Sequence, residues 1–144
     1  MLTDGVFAIA LTLLAIELRL PEAAEHESRL VLLGRLLALW PRLLAFAQSF
    51  AILALYWSLH HRLCRHIRRA DGPLVWLHLA LLLTVSFQPF PTAVVGGHFL
   101  DPVAAGLYGG SLLLTNVCLW AIWRYATADH RLVAPDLSPR LVRH

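Results

Sequence analysis

Lysine is absent from this sequence, and charged residues of both signs make up only 15% of it. A water-soluble domain of this size carries about a quarter charged residues, so 144 residues of this composition cannot easily cover themselves with polar surface. The twelve basic residues are all arginine and are dispersed, which leaves no basic face for a nucleic acid. There are two cysteines, Cys64 and Cys118, in different apolar stretches. That excludes a disulfide framework and a paired-thiol metal motif. Internal repeats and low-complexity tracts are missing. So are the marks of an enzyme: there is no nucleophile beside a base, no phosphate loop, and no pair of carboxylates within one apolar stretch. The N-terminus lacks the basic lead and small-residue cleavage site of a signal peptide, and Asp4 precedes its apolar run.

Long apolar runs fill the space that charge leaves. Hydrophobic residues reach 58% and the mean hydropathy is +0.64, which suits lipid as solvent. The reading is an all-α, polytopic membrane bundle over 1–126, with four spans at about 3–20, 42–62, 74–91 and 102–124. The tail 127–144, with Pro135 and Pro139, reads as a cytoplasmic extension or a lead-in to a fifth helix. Gly5–Ile16 is a short run for a span, and extends to Leu20 only if Glu17 and Arg19 sit at the interface; Pro21 then stops it. The apolar stretch 30–63 is too long for one crossing, and Pro41 divides it into a surface segment and a span. The third span is expected to bend at Pro89 and Pro91, with a glycine loop at 96–101 after it.

Orientation follows from arginine. Arg62, Arg65, Arg68 and Arg69 follow the second span, and Arg124, Arg131, Arg140 and Arg143 follow the fourth. Glu22, Glu25 and Glu27 follow the first. Positive residues stay on the cytoplasmic side, which puts both termini there, in a multi-pass cell-membrane protein.

The first helix carries the candidate site. Ile9, Leu13 and Ile16 form a branched stripe at helical spacing, and Gly5, Ala8, Thr12 and Ala15 form a neighbouring stripe of small residues. Small residues let membrane helices approach closely, so the small stripe is expected to pack while the branched one faces elsewhere. The pattern leaves two readings open for the branched stripe: contact with lipid or bundle core, or convergence of several copies on an axis as a hydrophobic constriction. Leu14 points to another face and is expected to tolerate truncation. Gly106 and Gly110, with Gly109 and Ser111, read as a close-packing stripe, and Thr115 and Asn116 as bonds between helices. His60, His61, Cys64 and His66 look superficially like metal ligands, but histidines beside arginines at a helix end more often snorkel or pair with a carboxylate. No metal is expected, and Asp4 is a plausible partner.

The run Thr3-Asp4-Gly5-Val6-Phe7-Ala8-Ile9-Ala10, with Thr12-Leu13-Leu14, closely resembles the first-helix signature of the transmembrane protein 175 family. That signature is an Arg, three residues, Phe-Ser-Asp, then Gly-Val-Phe-Ala-Ile-Ala and Thr-Leu-Leu. Tyr56-Trp57 with His60-His61-Arg62-Leu63 resembles the end of its second helix, Trp76-Leu77 through Phe87 with Pro89-Phe90-Pro91-Thr92-Ala93 resembles its third, and Trp123-Arg124-Tyr125 resembles the end of its fourth. Leu2-Thr3 replaces the usual Phe-Ser, the Arg would fall before Met1, and the chain ends where a fifth helix should begin. The resemblance implies six-helix subunits assembled as homotetrameric potassium channels. It implies that Ile9 makes the narrowest ring, that Leu13 and Ile16 add layers, and that Thr12 supports the ring by hydrogen bonding. It further implies that Thr3, Asp4 and Gly5 form the motif, and that Trp57, His60 and His61 join Asp4 in a structural network. No cofactor is expected beyond the permeant K+; the expected partners are the lipid bilayer and further copies of the chain. The rivals are a non-transporting scaffold, and a proton-leak pathway or carrier. A carrier calls for interrupted helices and buried charge at mid-membrane, which the sequence does not display.

Overall fold

A computed structural model describes residues 2–18, 28–66 and 71–128. Among the described residues all regular structure is helical: α1 (Leu2–Ile16), α2 (Arg29–Ala38), α3 (Trp40–His66), α4 (Gly72–Phe87), α5 (Pro89–Gly97) and α6 (Pro102–Thr127). The Glu22, Glu25 and Glu27 loop, Arg68, Arg69 and the tail beyond 128 lie outside the described residues.

The helix boundaries follow from local chemistry. The break between α2 and α3 falls at Leu39, and Pro41 sits in the first turn of α3, where its missing N–H costs no intrahelical bond. Asp71 caps α4 by accepting from the Leu74 amide at 3.1 Å, and Asp101 caps α6 by accepting from the Val103 amide at 2.7 Å. Each cap is followed within two residues by a proline. The rod 72–97 is interrupted only at Gln88, in front of Pro89. Gln88 keeps right-handed helical angles (φ −56°, ψ −34°), so the backbone passes the proline without unwinding.

Among the described residues three stretches have the length and apolar composition to cross a membrane: Trp40–Arg65, Gly72–Gly97 and Pro102–Thr127, each of 26 residues. The first helix has 15 residues, or about 22 Å, against a hydrocarbon core of about 30 Å. The expected extension of α1 toward Leu20 is cut back to Ile16 by a turn at Glu17.

The expected glycine loop at 96–101 is also corrected. Gly96 and Gly97 complete α5, and the loop is confined to 98–101. A side chain at Gly96 would place its Cβ 3.3 Å from the Cα of Arg42. The glycine is there so that α5 can cross the start of α3 closely.

The core gathers Phe7, Ala10 and Leu14 from α1, Leu53 and Tyr56 from α3, Leu74, Leu81, Leu82 and Val85 from α4, and Leu119 and Ile122 from α6. The α1 helix packs on α3, α4 and α5. A hydroxyl cluster supports the centre: Ser49 Oγ is 2.9 Å from the Tyr108 hydroxyl and 2.9 Å from Thr92 Oγ1. Nearby, Asn116 donates to the Tyr56 hydroxyl at 2.6 Å, tying α6 to α3 as expected for Asn116. Thr115 instead donates to Ser111 of its own helix.

Candidate pore-lining helix

The α1 sequence is apolar all round, and packing divides it into two faces. Phe7, Ala10 and Leu14 are each 1% exposed and point into the core. The opposite face is left uncovered within the chain: Ile9 is 61% exposed, Leu13 40% and Ile16 54%. Gly5, Ala8, Thr12 and Ala15 are exposed with them, and nothing lies within 4 Å of where a Gly5 side chain would begin. This corrects the expectation that the small stripe packs and the branched one points elsewhere. Both belong to the open side, because the large core around Phe7 and Leu14 draws the helix in by its bulkiest buried residues.

A similar correction applies to α6. Gly106, Gly109 and Gly110 contact no side chain within 4 Å. Gly106 and Gly110 line an open groove of about 560 Å³ with Leu83, Phe87, Leu107 and Leu114. Among the described residues these glycines are not closely packed, and Ser111 is the buried member of that stripe.

Thr12 donates to the carbonyl of Ile9 at 2.8 Å. The hydroxyl is thereby directed along the helix, next to the ring position expected at Ile9. The N-terminal end of α1 is moored to α3. Trp57 Nε1 donates to Asp4 Oδ1 at 3.1 Å, and the His61 ring stacks on Trp57 with centroids 5.5 Å apart. Asp4, Trp57 and His61 are therefore brought together.

His60 faces the other way. It is buried beneath Phe7, with ring centroids 6.3 Å apart, and its edge meets His78 of α4 at 5.1 Å. The acceptor of the Trp57 bond is Asp4, not a histidine. Thr3 is half-buried beside this junction, and Gly5 is open. Sequence reasoning missed His78. Its only signal is a histidine six residues after the capped start of α4 at Gly72, and its proximity to His60 is a fact of helix packing.

The described residues thus form a helical membrane bundle in which one short helix is anchored by half its surface and bare on the other half. Residues 1–89 match the family described as the endosomal/lysosomal potassium channel TMEM175. A potassium channel of Chamaesiphon minutus is 38% identical over 135 residues, covering 92% of this chain and 66% of that protein. The crystal structure of a lysosomal potassium-selective channel TMEM175 homolog from Chamaesiphon minutus superposes with a TM-score of 0.80 at 37% identity, covering 90% of this chain and 70% of that one. The bovine endosomal/lysosomal proton channel TMEM175 is 36% identical over 133 residues, 86% of this chain and 28% of that protein. The chain belongs to the TMEM175 family, a channel family, which is not an enzyme class. It spans about two thirds of the length of the bacterial relative.

Proposed function

We propose that this chain forms a potassium-permeable channel subunit whose α1 helices converge, four to a pore, on the conduction axis. The observation that carries the reading is the bare face of α1. Ile9, Leu13 and Ile16 are uncovered, beside the small residues Gly5 and Thr12, on a helix whose other side is fully engaged. Copies of such a face can meet closely without disturbing the subunit. The names of the bacterial relative and its crystal structure supply the ion.

In this arrangement Ile9 makes the tightest ring, with Leu13 and Ile16 stacked one and two turns further along. An apolar ring offers a dehydrated ion no replacement ligands, so passage depends on ring size and wetting. Both termini lie on the cytoplasmic side, with α2 along the membrane surface, and no cofactor takes part.

The test is Ile9→Asn in reconstituted protein under mixed potassium and sodium. Conductance should rise and the reversal potential should move toward the non-selective value. Leu30→Ala, on the 81% exposed position of α2, should change neither. Leu14→Ala is not the silent control that the sequence suggests, because Leu14 is in the core. Unchanged current and reversal potential in Ile9→Asn would remove α1 from the path. The bovine relative's name favours a second reading, proton permeation. A reversal potential that follows pH in place of potassium would establish it.

A further inference from the structure

We propose that His60, Cys64 and His78 form a binding site for a divalent transition-metal ion of the zinc class, clamping α3 to α4 beside the foot of α1. The sequence shows only two of these groups, His60 and Cys64, one helical turn apart on α3. The fold adds the third from α4, and one ligand atom from each lies within 4.8 Å of the others.

The two sulfur–nitrogen distances suit a tetrahedral ion. Zn–S of about 2.3 Å and Zn–N of about 2.0–2.1 Å at tetrahedral angles put sulfur and nitrogen about 3.6 Å apart. Cys64 Sγ is 3.5 Å from His60 Nε2 and 3.7 Å from His78 Nε2. The other His60 nitrogen is 3.8 Å away, so a turn of that ring about χ2 presents either one.

The outer contacts are those a ligand imidazole needs. His78 Nδ1 is 2.8 Å from the Leu74 carbonyl. A carbonyl only accepts, so Nδ1 carries the proton and Nε2 turns a free lone pair toward Cys64. A metal-bound histidine is commonly fixed in this manner. A cavity of about 270 Å³, lined by Thr3, Cys64, Leu74 and His78 among others, adjoins the cluster. It gives an ion its way in and leaves room for a water as fourth ligand. Three protein ligands and one open position is a familiar zinc arrangement.

Binding exchanges the Cys64 S–H bond for an S–metal bond and releases that thiol proton to solvent. The ion adds a coordinate link between α3 and α4, which already meet through the His60–His78 and Cys64–His78 contacts. That link lies under Phe7, whose ring rests on His60.

The purified chain, without a histidine tag and stripped with chelator, is titrated with Co2+ in detergent and then with Zn2+ as competitor. One Co2+ per chain should bind with a thiolate-to-cobalt charge-transfer band, and Zn2+ should displace it. Zn2+ should also raise the thermal midpoint, as any ligand of the folded state does. Cys64→Ser should abolish the band, and His78→Gln should weaken Zn2+ binding by at least about 100-fold, since loss of even an outer-shell partner costs 10–100-fold. Cys118→Ser and His98→Ala should match the parent. If the unaltered chain shows no band, or binds Zn2+ no more tightly than Cys64→Ser does, the three groups form only a thiol–imidazole hydrogen-bond relay and the site is rejected. The unaltered chain decides that point even if a variant fails to fold. Binding is read without ion flux, so the outcome is independent of the pore reading.

Discussion

The two faces of α1 are nearly matched in hydropathy and opposite in fate. Phe7, Ala10 and Leu14 are sealed in the core, while Ile9, Leu13 and Ile16 on the other side touch little within their own chain. In water the second face would be a defect. In a bilayer it is tolerated, since lipid tails are as apolar as leucine, and it stays available for other helices. One face therefore holds the subunit together, and the other is free to serve assembly or conduction. A mutation on one should not imitate a mutation on the other.

The largest effect should come from Phe7→Ala. Emptying a buried aromatic position costs about 3–5 kcal/mol, and unfolding of the detergent-solubilised monomer should show it as a fall in midpoint or a loss of expression. Ile9→Ala, measured in the same way, should change the monomer by less than about 0.5 kcal/mol. Equal losses from the two would abolish the distinction between the faces.

Trp57→Phe comes next. It removes the N–H that holds Asp4, a hydrogen bond worth about 1 kcal/mol, while keeping most of the ring that stacks on His61. Asp4→Asn keeps an oxygen acceptor in place and should cost less than Asp4→Ala. If Trp57→Phe and Asp4→Ala act additively when combined, the two residues are not coupled, and the foot of α1 is held by something else.

Gln88→Met probes the span behind α1. The Gln88 side chain is 1% exposed, and neither atom of its amide has a partner among the described residues. A buried unpaired amide costs about 1–3 kcal/mol. The methionine variant should match or exceed the parent in thermal midpoint. A clear loss would mean that the amide is met by a water or a neighbouring helix.

The smallest effect on the subunit belongs to Gly5→Ala. The site is open, and alanine is the better helix former by at most about 1 kcal/mol, so the monomer should gain slightly. Assembly should suffer if copies of α1 approach closely at Gly5. Cross-linking in detergent reads that directly, and unchanged oligomer yield would place the approach elsewhere on the helix.

Much of the fold was legible in the sequence because the signals are local. Pro41 divides the long apolar stretch near the start of α3, and Pro89 marks the interruption of the third span. These depend on a few neighbouring residues. The Gly96 region was misread because glycine near a helix end usually signals a stop, and only the crossing of Arg42 shows why it continues the helix here. The stripes of small residues on α1 and α6 were legible as stripes, but not their use: a spacing rule does not say whether a close partner lies in the same chain.

The sequence by itself determined that this is an all-helical membrane chain, where its helices start, and, through the α1 motif, its family. Composition and short-range stereochemistry suffice for that. Which half of α1 is buried, that Asp4 accepts from Trp57, and that His78 joins His60 and Cys64 were decided only by tertiary structure. Hydropathy is nearly equal all round α1, so it carries no direction. The contacts of Asp4 with Trp57 and of Cys64 with His78 join residues 53 and 14 positions apart on different helices. Such contacts depend on the rotation and crossing of whole helices, which the shape of the core sets and no local pattern records.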